Sequence, residues 1–121
     1  MPTASGPTSA ISATKVIDTN VLDTAGNKIG EIKDIVLEKT TSNIMFAVVG
    51  FGGFLGVGEK YHPIPWNELS YDESRDGYVV RFTKDELAAA PAGSIEDLTK
   101  RDGHSYRDRA FAHFNSRPYW Y

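Results

Sequence analysis

The sequence predicts a mainly β fold, a small antiparallel barrel of five or six strands followed by one or two short helices. Three observations carry this expectation. Short apolar runs recur between Lys15 and Phe82. Clusters of Asp, Asn, Ser and Gly separate them, and helical spacing starts only after Thr83. Five or six short strands with few residues between them favour a small, strongly bent antiparallel barrel with helices after it.

Taken in order, residues 1–14 are Ser, Thr, Ala, Pro and Gly with scattered apolar residues and no charge. Such a segment buries too little to offset its ordering entropy and is expected to be disordered. Lys15-Val16-Ile17 is expected as a short strand, followed by Val21-Leu22. Asp23-Thr24-Ala25-Gly26-Asn27 has the composition of a turn, with Gly26 free to take positive φ. Lys28–Leu37 then alternates until it slips at Lys33-Asp34, which predicts a bulge, and Gly30 has the size a barrel corner needs.

Thr40-Thr41-Ser42-Asn43 is a second turn, and the nearly continuous apolar run Ile44–Gly50 reads as a central strand forming a hairpin with Lys28–Leu37. A glycine-studded bend follows. Lys60–Ile64 should be a strand confined to an edge or a bend by Pro63 and Pro65. Leu69–Tyr71 and Tyr78–Phe82 flank a turn ending in Asp76-Gly77. Thr83 and Glu86 have capping-box spacing for a helix over Lys84–Ala90, stopped by Pro91. Tyr106, Ala110, Phe111 and Phe114 have helical spacing within Ser105–Phe114. The chain therefore divides into a disordered segment (1–14), a barrel domain (15–92) and a helix with an aromatic tail (93–121).

Several of these stretches together resemble the PRC-barrel family. The carriers are Val21-x-Asp23-x-x-Gly26-x-x-Ile29-Gly30-x-Ile32-x-Asp34-Ile35, the strand Ile44–Val49, and Gly53–Lys60 leading to Ile64-Pro65-Trp66-x-x-Leu69. The ending Phe114-Asn115-Ser116-Arg117-Pro118-Tyr119-Trp120 is similar to that of small stand-alone bacterial members. The resemblance implies a six-stranded barrel. The same domain occurs in the cytoplasmic part of the photosynthetic reaction centre H subunit and at the C-terminal end of a ribosome maturation factor.

Composition excludes several functions. There is no cysteine, so no thiol nucleophile or thiolate metal site exists. Residues 1–99 carry 8 Lys/Arg against 14 Asp/Glu, an acidic body unsuited to general phosphate-backbone binding, whereas residues 100–121 carry 5 against 2. No run of about 20 apolar residues exists, and the start lacks a basic n-region, so a cytoplasmic protein without membrane insertion is expected.

Gly53-x4-Gly58-Glu59-Lys60 superficially resembles a phosphate loop. Glu59 would aim a carboxylate at the phosphates, and Tyr61 stands where Ser or Thr is needed. His104 and His113 fall nine positions apart, off chelating spacing. Asp72, Glu73 and Asp76 read as a solvated turn, and Asp34 as a ligand for backbone amides at the bulge. No catalytic residue, cofactor or metal is therefore expected.

Aromatic residues point to partners instead. Six of the fourteen lie in the last sixteen positions. Phe51, Phe54, Leu55, Tyr106, Phe111, Phe114, Tyr119, Trp120 and Tyr121 are the expected partner or dimer surface, docking either on the chain's own barrel or on another chain. The functional expectation is a non-enzymatic interaction or adaptor module that pairs with itself or with another protein. An RNA-processing or ribosome-assembly accessory using Arg101, Arg107, Arg109 and Arg117 is one alternative, and an accessory to photosynthetic electron transfer another.

Overall fold

Apolar runs and turn chemistry together produce six strands in the computed structural model, which describes residues 10–51, 60–100 and 103–120. The strands are β1 (Asn20–Leu22), β2 (Lys28–Leu37), β3 (Ile44–Phe51), β4 (Lys60–Pro65), β5 (Ser70–Asp72) and β6 (Gly77–Val79). They form one sheet in the order β4-β3-β2-β1-β6-β5. The expected all-antiparallel closed barrel is corrected in two respects. β1 and β6 pair in parallel, because the chain returns to β1 only after the β2–β5 excursion and arrives in the same direction. The sheet does not close between β4 and β5, which are joined by a 3-10 turn at Trp66–Glu68. β4 carries Pro63 and Pro65, which offer no amide to a closing partner. Its edge takes a bridge from Gly93 instead, whose amide donates to the Tyr61 carbonyl at 3.0 Å.

β2 bends as its sequence requires. Register shifts between Ile32 and Asp34, and the Ile35 amide donates to Asp34 Oδ1 at 2.8 Å. At Gly30 an added Cβ would stand 2.8 Å from the Gly50 carbonyl oxygen, so β2 and β3 approach more closely than any side chain permits. β3 is apolar throughout because both of its faces are covered. Ala47 and Val49 join an inner cluster with Val21, Ile29, Ile32, Ile64 and Tyr78. Phe46 and Val48 join an outer cluster with Met45 and Leu98. Each fully buried side chain of this kind contributes about 1.5–3 kcal/mol.

Four helices complete the described fold: α1 (Ala13–Val16), α2 (Lys84–Ala88), α3 (Ile95–Lys100) and α4 (Gly103–His113). α1 replaces the strand expected at Lys15–Ile17. The amides of Lys15 and Val16 donate to the Ser12 carbonyl, and the chain joins β2 at Asp18, at φ 72°, whose amide donates to the Ile32 carbonyl at 2.6 Å. α2 has the expected capping box: Thr83 accepts from the Glu86 amide, and Glu86 accepts from the Thr83 amide. α3 was not expected, and it brings Leu98 onto the outer face of β3. α4 lies beside β4 and β3, and its C-terminal turn carries Phe114 into the inner cluster.

Candidate interaction surface

The polar groups that could support chemistry are mostly engaged within the chain. Glu38, just beyond β2, accepts from Thr41 Oγ1 at 2.6 Å and Arg107 Nη1 at 3.1 Å, and lies 2.9 Å from His104 Nε2. The Thr41 hydrogen bond, reinforced by His104 and Arg107, holds its carboxyl below the usual range. Glu68 takes both Arg81 Nε at 2.7 Å and the Ser116 hydroxyl at 2.6 Å, while Arg81 also donates to the Phe114 carbonyl. These two carboxylates tie the start and end of the C-terminal region to the barrel.

The acidic turn behaves as a turn. Asp72 accepts from the Ser74 and Arg75 amides and the Ser74 hydroxyl, and Asp76 accepts from the Tyr71 hydroxyl. His62 is fully buried, with Nδ1 3.1 Å from the Pro91 carbonyl and Nε2 without a hydrogen-bond partner. With Nδ1–H as donor the ring is the neutral tautomer, and burial pushes its pKa down. No group of three His, Asp or Glu side chains that could hold a metal occurs among the described residues.

The aromatic residues expected at a partner surface fall into three groups. Phe54, Leu55 and Tyr121 lie outside the described residues, as does most of the glycine bend. Phe111 and Phe114 are buried, the latter 4.4 Å from the Phe82 ring centroid. Phe51, Tyr106, Tyr119 and Trp120 are half-buried against their own chain. Phe51 sits 6.2 Å from His62 with Lys84 above its ring. Trp120 packs edge-on to Phe111 at 4.9 Å, and its ring stacks under the Arg107 guanidinium at 3.7 Å.

The arginines are also dispersed. Arg107 is buried and paired with Glu38 and Asp108, Arg109 lies over the Tyr106 ring at 4.5 Å, Arg117 is exposed, and Arg101 lies outside the described residues.

A different apolar surface stands open at the end of the β2–β3 hairpin. Leu37 is 61% exposed, and beside it a hollow of about 540 Å³ is lined by Val36, Leu37, Met45, Leu98 and His104. Ile95, one turn before Leu98 on α3, is 39% exposed. Leu37 closes the run Ile35-Val36-Leu37. The signal in the sequence was an apolar residue carried past the point where the strand needs one, immediately before Glu38 and Lys39.

Residues 9–87 match the family model described as the PRC-barrel domain. The chain belongs to the PRC-barrel family. Among solved structures this PRC barrel is similar to RimM of Pseudomonas aeruginosa, named as a 16S ribosomal RNA processing protein. Identity is 14%, coverage is 65% of this chain and 48% of that one, and the TM-score is 0.39. The chain thus spans about half the length of that protein. The comparison with curated proteins returned no match. No helix among the described residues is long and apolar enough to cross a membrane.

Proposed function

We propose that this PRC barrel is a non-catalytic protein-interaction module that pairs with a second copy of itself through the end of the β2–β3 hairpin. The observation carrying the reading is Leu37, 61% exposed beside a hollow lined by Val36, Met45 and Leu98. A protruding apolar residue and a hollow with apolar walls at Val36 and Met45 and a polar rim at Glu38, Lys39 and Thr99 suit an isologous contact, in which each copy supplies both.

Light scattering on the full chain across a concentration series tests this. A dimer is expected for the wild type, and Leu37→Asp should be monomeric with an unchanged circular dichroism spectrum. A wild type that stays monomeric at several hundred micromolar overturns it. An RNA-facing role would draw on Arg109 and Arg117, both exposed. Titration with ribosomal RNA at two salt concentrations separates that role from pairing, because only phosphate contacts weaken steeply with salt.

A further inference from the structure

The C-terminal segment is held at two points of very different character. Ser116 is fixed: its amide donates to the Phe111 carbonyl at 2.9 Å, and its hydroxyl lies 2.6 Å from Glu68 and 2.9 Å from Asn67. Asn115, at φ 53°, reverses the chain just before it. Residues 117–120 join no helix or strand. They cross back along α4 over a hollow of about 390 Å³ lined by Asp108, Phe111, Ala112, Pro118 and Trp120. Their far end rests on aromatic contacts with Phe111 and on the Arg107 guanidinium above the Trp120 ring.

We propose that residues 117–120 are a strap that opens on the folded barrel, hinged at Ser116 and latched by Arg107 on Trp120. Opening does not strand a buried charge. Arg107 keeps Glu38 at 3.1 Å and Asp108 at 3.0 Å, neither of which belongs to the strap. Opening separates the Tyr119 hydroxyl from Arg107 and Glu38, beside which it lies, and gives it to water instead. The cost is exposure of Phe111, loss of the stacked cation and loss of the hydrogen bond from Asn67 Nδ2 to the Arg117 carbonyl at 3.4 Å. Local opening of this kind draws on few contacts and needs far less free energy than global unfolding. It would turn Tyr119 and Trp120 from packed residues into residues another protein can grip. Because the opening belongs to the single chain, it stands or falls separately from pairing through Leu37.

The two tryptophans report on the two parts. Trp66 packs on Tyr78 at 5.7 Å in the barrel, and Trp120 sits on the strap. In dilute full-length protein labelled with 5-fluorotryptophan, fluorine NMR during a urea titration should show Trp120 reaching its solvent-exposed position well before Trp66. Trp66→Phe assigns the signals. Arg107→Lys keeps a cation for Glu38 but loses the planar stack, and should raise the opened population about fivefold with the Trp66 midpoint unmoved. Coincident transitions of Trp66 and Trp120 in the wild type would overturn the proposal, as would an Arg107→Lys effect equal at both probes.

Discussion

Arg107 Nη1 stands 3.1 Å from Glu38 Oε2, joining α4 to the end of the β2–β3 hairpin across 69 positions of sequence. Both side chains are about nine-tenths buried, so this is not a surface ion pair that salt and water would screen. Removing either partner leaves the other charged in a poorly solvated place. Arg107 keeps Asp108 at 3.0 Å, so Glu38→Gln should destabilise the protein by about 1–3 kcal/mol. The double variant Glu38→Gln/Arg107→Met should lose clearly less than the sum of the two single changes. Urea denaturation of the four proteins measures the cycle, and strict additivity would show that the pair is not coupled.

Gly30 fixes how closely the two longest strands approach. A methyl there would meet the Gly50 carbonyl oxygen at 2.8 Å and Val49 Cγ1 at 2.9 Å, and the first of these is backbone that cannot rotate away. Gly30→Ala should cost about 1–3 kcal/mol through overpacking. Gly26→Ala, at a turn with φ 93°, tests a different cause, the strain of a side chain in the left-handed region. Thermal unfolding of both variants checks these expectations. A Gly30→Ala protein as stable as the wild type would mean that β2 shifts on β3 freely.

How far the sequence shows this fold depends on how local each signal is. The Asp23–Asn27 turn, the Asp34 bulge and the Thr83 capping box are all set by side chains bonding to backbone within a few residues, so their residue types announce them. The parallel pairing of β1 with β6 rests on chain path and has no local signature. Lys15-Val16-Ile17 is too short for its apolar residues to distinguish strand from helix. α3 did carry a signal: Ser94 accepts from the Asp97 amide at 3.1 Å, an N-cap three residues before an acid, but Pro91 and Gly93 obscured it by reading as breakers. The aromatic tail was legible as a segment that must dock. Its docking on its own chain depends on Arg107, whose partner Glu38 is remote in sequence.

Leu37 offers the simplest separation of association from folding. Its side chain is 61% exposed at the end of a strand, so replacing it removes little buried area in the single chain. Leu37→Asp should leave the monomer's stability within about 0.5 kcal/mol. If pairing proceeds through this residue, the concentration dependence of the wild-type melting temperature should vanish in the variant. Calorimetry at low and high protein concentration measures both quantities. A wild-type melting temperature independent of concentration would count against pairing through this surface.

His62 should give the protein an acid-sensitive stability. Its ring is fully buried and Nδ1 engages the Pro91 carbonyl, so the charged ring would be poorly solvated, an effect the Pro91 and Ala90 carbonyls only partly offset. Burial lowers its folded pKa below the unfolded value near 6.5, with Lys60 and His113 adding like charge nearby. Between those two values the unfolded chain binds the extra proton. Stability is therefore complete above pH 6.5 and falls as the pH drops from there toward the folded pKa. Glu38 acts in a lower window. Its carboxyl is held below 4.5 by Thr41, His104 and Arg107, and its contribution is lost only as the pH falls through that folded value. His62→Asn keeps a donor for the Pro91 carbonyl and cannot titrate. It should be less stable than the wild type at pH 7.5, yet lose little more between pH 7 and 5. Urea midpoints across that range measure the difference. Equal slopes in the two proteins would show that other groups carry the acid sensitivity.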